Sequence, residues 1–227
     1  MMSKERGSLS IHSENIFPII KKWLYSDKDI FVREMVSNAS DGITKLKRLD
    51  GMGEIDLKGE KDFSIRVILD PKAKTLTFSD NGIGMTHDEV RKYINQIAFS
   101  GAEDFIKKYQ DKGEQDQIIG HFGLGFYSAF MVSSRVEIQT LSHQDQAVPV
   151  HWSCDGGTEF EMQEGTRKAR GTDIILHIGE DGKEFLEEYT LRSTLEKYCS
   201  FMPYPIYLVV KDKEPKKDEK GNIIIEE

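Results

Sequence analysis

The runs FSIRVILD and KTLTFSD, residues 63–70 and 74–80, flank the short turn PKAK and are rich in β-branched residues. Two such runs so close together can pair only as an antiparallel hairpin, because a parallel partner needs a long crossover. Further strand patterns follow in RVEIQTLS, PVHWSC, TEFEM, GTDIILHI and PIYLVV, with GG and GTRKARG turns among them. Hairpins therefore outnumber βαβ units, and helical spacing is confined to blocks. The expected fold is α+β: a two-layer sandwich with a mostly antiparallel, mixed sheet and helices on one face.

The helical blocks carry start signals. A short extended piece, SLSI, leads into ENIFPIIKKWLYS, where Ile16, Ile19, Ile20, Trp23 and Leu24 recur at helical spacing. Ser26 reads as the N-cap of the next helix, with Asp29 three residues on, and that helix runs from Ile30 to Leu49. THDEVRKYINQIAF has Thr86 as cap and Glu89 at the capping-box position. Residues 100–120 are polar and glycine-punctuated, which predicts a mobile segment. GHFGLGFYSAFMV is a glycine loop running into an apolar helix, and EFLEEYTLRSTLEKYCSF predicts a late helix. The tail KDKEPKKDEKGNIIIEE is charge-dense. We expect one domain over residues 1–211 and a linker over 212–227 toward a further domain.

Composition removes several classes. With 38% hydrophobic residues the chain can build a core. Its 31 Lys and Arg against 39 Asp and Glu give a net charge of −8, which argues against nucleic acid as a partner. Cys154 and Cys199 make neither a disulfide framework nor a metal motif, and two isolated thiols suit a reducing compartment. No apolar run is long enough for a signal peptide or a membrane helix. The expectation is a soluble, cytoplasmic protein.

Within FVREMVSNASDG, Glu34, Asn38 and Asp41 recur at offsets of four and three. On a helical wheel Phe31, Val32, Met35, Val36, Ala39, Ile43 and Leu46 fill one arc; the polar trio borders it, with Asn38 nearest. Arg33, Ser40 and Lys47 point outward. Such a trio is either a solvated border or the floor of a polar site. Two glycine loops bear on the choice. SDNGIGM sets Asp80 at a strand end before Gly82 and Gly84, where the backbone can turn sharply and approach a ligand. GHFGLGF places Gly120, Gly123 and Gly125 before a helix, where exposed N–H groups favour an anion. There is no G-x-x-x-x-G-K-[ST] and no βαβ G-x-G-x-x-G unit, so neither a P-loop nor a dinucleotide fold is expected. Carboxylates, an amide and phosphate-binding glycines together suggest a nucleotide site without a P-loop.

FVREMVSNASDG, SDNGIGMT, GHFGLGFYSAFMV and RGTDIILHI, in this order, resemble the N-terminal ATPase domain of the heat-shock protein 90 chaperones of the bacterial HtpG type. The resemblance covers about Ser8 to Val210. It implies the fold shared by histidine kinases, gyrases and these chaperones, with ATP or ADP and Mg²⁺ as cofactors. By the same resemblance Glu34 is the general base, Asn38 holds Mg²⁺ through its amide oxygen, and Asp80 accepts from the adenine amine. Gly84 and Thr172 assist Asp80 through water, Met85 and Phe126 form apolar walls, and Asp41 lines the adenine end. Gly120, His121, Phe122, Gly123, Leu124, Gly125 and Phe126 supply the phosphate cradle, and residues 95–125 the lid.

Three positions depart from the family pattern: Phe99 replaces a basic residue, Ala102 a hydroxyl and His121 a glutamine. No phosphate contact is carried onto residue 99, although Lys107 or Lys108 could compensate. The resemblance further implies client proteins and a homodimer partner for a full-length protein, an arginine supplied by a following domain, and no membrane partner. A monomeric, slowly hydrolysing fragment is expected. Two other readings stand beside it: a nucleotide-gated DNA machine of the gyrase or mismatch-repair type, and a nucleotide switch without significant hydrolysis.

Overall fold

Residues 27–95, 125–157 and 159–211 are described by a computed structural model. Among these residues seven strands form one sheet: β1 (Ile65–Asp70), β2 (Thr75–Asp80), β3 (Ser133–Leu141), β4 (Val150–Cys154), β5 (Phe160–Glu164), β6 (Gly171–Ile178) and β7 (Ile206–Val210), in spatial order β5-β4-β3-β6-β2-β1-β7. Every pairing is antiparallel except β1 with β7. The expected hairpin is β1–β2, in register from Ile65 opposite Asp80 to Asp70 opposite Thr75. The α+β expectation therefore holds, and the parallel β7 makes the sheet mixed.

Among the described residues three α-helices accompany the sheet: α1 (Ile30–Gly51), α2 (His87–Tyr93) and α3 (Glu188–Cys199). Helix α1 buries the whole apolar arc read from the wheel, Phe31, Val32, Met35, Val36, Ala39, Ile43 and Leu46. Phe31 meets Phe78 of β2 edge-on at 6.1 Å and Phe185 at 4.9 Å, so the helix is keyed to the sheet by aromatic edges. Helix α2 carries the expected capping box: Glu89 N–H donates to the Thr86 hydroxyl at 3.3 Å, and Thr86 N–H to the Glu89 carboxylate at 2.7 Å.

Four readings are corrected. Helix α1 opens at Ile30 with Asp29 in the cap position, and Asp29 makes no capping bond. Its carboxylate instead takes Lys197 Nζ at 2.9 Å and Tyr198 OH at 3.1 Å, fastening α1 to α3. Ser40, assigned to the outward side, is 1% exposed, and Asp41, placed at the border, is 5% exposed and deeper than Asn38. Besides the sheet, α1 packs against the loop after β2 and against α3. The apolar helix after the glycine loop is a 3₁₀ helix, Gly125–Met131, whose Ser128 hydroxyl donates to the Gly125 carbonyl at 2.6 Å. The late helix is two pieces, a 3₁₀ turn over Glu180–Leu186 and then α3, divided at Glu187, which is extended (ψ 123°).

The early helix over 14–26 with Ser26, the segment 100–120 including Lys107 and Lys108, Phe99, Ala102 and the tail 212–227 lie outside the described residues.

Candidate functional site

Strand alternation brings a carboxylate into the core. Along β2, Leu76, Phe78 and Asp80 are buried in turn, so Asp80 occupies the third position of the face that meets the helices. Asp80 pairs with Thr172 on β6, and Thr172 with Thr140 on β3. All three are buried, forming a polar rung across the end of an apolar face.

The rung satisfies itself through the loop that follows β2. Thr140 Oγ1 lies 3.0 Å from Thr172 Oγ1, donates to the Gly171 carbonyl at 3.1 Å and accepts Met85 N–H at 2.9 Å. Asp80 Oδ1 accepts Gly82 N–H at 2.8 Å. An unpaired polar group here would cost about 1–3 kcal/mol, so these bonds make the rung tolerable. Burial nevertheless pushes the Asp80 carboxyl up to about 7. The Gly82 N–H, the Arg167 charge and the Thr172 backbone hold it down, and Asp173 adds to the upward push.

Loop 81–85 is wedged between α1 and β3. Ile83 N–H donates to the Gly42 carbonyl of α1 at 3.1 Å, and His143 N–H to the Ile83 carbonyl at 2.9 Å. A side chain at Gly82 would stand 2.6 Å from the Gly42 backbone. At Gly84, with φ +64°, it would run into the Leu141 carbonyl. The glycines are there for close approach, as the sequence suggested, and what approaches is the protein's own backbone. A Cβ at Gly42 would lie 3.8 Å from Asp80 Oδ1, which fixes the carboxylate beside α1.

Eight residues earlier on α1, about 12 Å along the axis, stands Glu34. Its Oε1 takes Arg33 Nη2 at 2.6 Å, and its Oε2 lies against Gly125, where the 3₁₀ helix begins. Asn38 sits one turn on from Glu34, half-buried, and its side chain makes no hydrogen bond among the described residues. Asp41 is buried beside Gly42. Its charge holds up the ammonium of Lys45, which burial pushes down, and Glu89 of α2 helps.

The sequence-predicted residues thus fall into two groups joined by α1. Glu34 and Gly125 meet at one end; Asp80, Gly84, Met85 and Thr172 gather at the other. Phe126 is buried in an aromatic cluster, 5.7 Å from Trp152 and 6.2 Å from Phe130. Gly120, His121, Phe122, Gly123 and Leu124 lie outside the described residues. Sequence reading missed Thr140 and Arg167. Thr140 was legible in the alternation Val136, Ile138, Thr140, which sets a hydroxyl in a core position. Arg167, in a turn, gave no such signal.

A model of the histidine kinase-, DNA gyrase B- and HSP90-like ATPases matches residues 30–165, a span running from α1 through the β2 loop to the end of β5. The chain belongs to this ATPase family. Among curated relatives, the chaperone protein HtpG of Bacteroides thetaiotaomicron is 55% identical over 203 residues, covering 89% of this chain and 29% of the relative. That of Porphyromonas gingivalis strain W83 is 51% identical over 220 residues, covering 96% and 31%. The ATPase domain spans about three tenths of the length of these relatives. No helix among the described residues of this ATPase domain is long and apolar enough to cross a membrane.

Proposed function

We propose that this chain is the nucleotide-binding domain of an ATP-driven chaperone, binding ATP and ADP and hydrolysing ATP slowly. The observation that carries the reading is Asp80: a carboxylate held at a core position beside α1 and steadied by the backbone of Gly82 and Thr172. A buried anion is costly unless it has a partner, and the 6-amino group of adenine supplies a donor. Thr172 lies beside it on the rung and Gly84 holds the loop's shape. Asp41 and Met85 border this end.

At the other end Glu34 is the general base, orienting water toward the terminal phosphate within hydrogen-bond reach. The backbone amides of residues 120–126 form the phosphate cradle. Phosphoryl transfer is chiefly positioning and charge stabilisation, so one base and oriented amides suffice for slow turnover. The donors available to a metal, the Asn38 amide oxygen and the Glu34 carboxylate, are hard oxygens suited to Mg²⁺, with Asn38 the residue that would hold it. No group of three or more His, Cys, Asp or Glu among the described residues could hold a metal. Bound at Asn38, a Mg²⁺ ion would neutralise phosphate charge. Residues 1–211 form this domain and 212–227 a linker. The domain is monomeric and cytoplasmic, binds neither nucleic acid nor membrane, and in the full-length protein works with client proteins and a homodimer partner.

Calorimetric titration of ADP with Mg²⁺ into wild type and Asp80→Asn tests the reading. Loss of a charge-assisted hydrogen bond should weaken binding by about 1.5–3 kcal/mol. Equal affinities would overturn the placement of adenine.

A further inference from the structure

Arg167 lies in the turn between β5 and β6, with its side chain 13% exposed. Its guanidinium makes three kinds of contact. Nε donates to the Ala169 carbonyl at 2.9 Å, closing its own turn. Nη2 donates to the main-chain carbonyl of Asp80 at 2.7 Å, across 87 residues of sequence. Nη1 pairs with the Asp173 carboxylate. Asp173 faces Ser79 on the β2–β6 ladder, one step from the Asp80–Thr172 pair. One planar fork therefore grips the backbone of the proposed purine-binding residue and occupies the nearest competing carboxylate. A lysine has no second arm to do both.

We propose that Arg167 is a positioning residue that sets purine specificity: it clamps Asp80 to β6 and neutralises Asp173, so that the Asp80 carboxylate meets the base as an anion. The inference rests on the proposed role of Asp80 toward adenine. An ionised carboxylate accepts from a 6-amino group, whereas a protonated one donates to a 6-oxo group. The charge on Asp80 therefore decides between adenine and an oxopurine. Among the described residues the charged groups near Asp80 are these. Arg167 and Asp173 flank it from the β6 side, and Asp41 and Lys45, whose charges interact, stand on α1 beside Gly42. Its carboxyl already lies at about 7, so a modest loss of positive charge alters its ionisation at neutral pH. In Arg167→Gln the cation goes and Asp173 is left uncompensated, and both changes favour the protonated form.

The test is a set of ADP and IDP titrations from pH 6 to 9, on wild type, Arg167→Gln and the double variant Arg167→Gln/Asp173→Asn. These are read beside ¹³C-carboxyl NMR of Asp80 in the nucleotide-free protein. Wild-type ADP affinity should fall as pH drops through about 7. In Arg167→Gln the Asp80 midpoint should rise by about one unit, which makes ADP binding about fivefold weaker at pH 7 and leaves it unchanged near pH 9. The preference for ADP over IDP at pH 7 should narrow about tenfold, because IDP gains as ADP loses, and the double variant should recover most of the midpoint. Merely structural damage would weaken ADP at every pH and leave the NMR midpoint in place. Superimposable midpoints in wild type and Arg167→Gln overturn the proposal while leaving the adenine assignment standing. A folded wild type that binds no ADP at any pH overturns both, and an Arg167→Gln protein too unstable to titrate is replaced by Asp173→Asn, whose Asp80 midpoint must fall.

Discussion

The two ends of helix α1 hold carboxylates in opposite ways. At the C-terminal half, Asp80 is locked: a strand, a ladder partner, a wedged loop and the Arg167 fork fix it within the core. At the N-terminal half, Glu34 stands at the border with 18% of its side chain exposed, held by the adjacent Arg33 on one oxygen and touching Gly125 with the other. The difference agrees with what each end would do under the proposed function. Recognition of a flat base requires a fixed donor–acceptor pattern, which a sheet supplies. A base that orients water needs a carboxylate nearer solvent, and a helix border supplies one.

Removing the Glu34 carboxylate should break the border end alone. Glu34→Gln is expected to slow single-turnover ATP hydrolysis by about 10²–10⁴-fold, the range of a general base, with ADP affinity within about twofold of wild type by calorimetry. Turnover undiminished in the variant would remove the base from this end. Glutamine keeps the shape that lies against Gly125 and gives up only the charge facing Arg33, so melting should change by less than about 1 kcal/mol.

The locked end should respond first in its fold. Gly84→Ala sets a Cβ against the Leu141 carbonyl at φ +64°, and the strain together with the collision should cost about 2–3 kcal/mol or more. Gly42→Ala is the control. Its Cβ would meet Asp80 Oδ1 at an ordinary 3.8 Å in a helix, where alanine is the better residue, so it should keep or slightly gain stability. Thermal melts of both variants read the contrast directly. A Gly84→Ala protein as stable as wild type would show that the loop can move away from β3.

The locked end was also the less legible one. The hairpin, the apolar arc of α1 and the Thr86–Glu89 box follow from local periodicity, and each is in place. Ser40 and Asp41 lie deeper than a helical wheel places them because α1 packs against the loop after β2 and against α3 as well as the sheet, contacts no wheel contains. Asp29 read as a local residue and serves a distant helix. Thr140, Thr172 and Asp80 come from three separate strands, and only the ladder register aligns them. The order of motifs identified the family; the polar rung and the Arg167 clamp are products of tertiary pairing.

The smallest expected effect separates stability from function at Asp80. Its folded-state carboxyl lies at about 7, above the ordinary value of 3.8, and the leading cause is burial. Between those two values the folded protein holds a proton that the unfolded chain has released, so stability falls as pH rises across that window and levels off above it. Asp80→Asn keeps an oxygen for the Gly82 N–H and removes the charge. The nucleotide-free variant should therefore gain about 1–2 kcal/mol at pH 8, less than the whole shift because the new amide brings a buried NH₂ of its own. The gain should vanish near pH 4, as followed by urea denaturation at each pH. The same substitution that weakens ADP would then strengthen the empty domain, as expected of a carboxylate kept in the core for a ligand. A variant less stable than wild type at pH 8 would instead make the Asp80 charge part of what holds α1, β2 and β6 together.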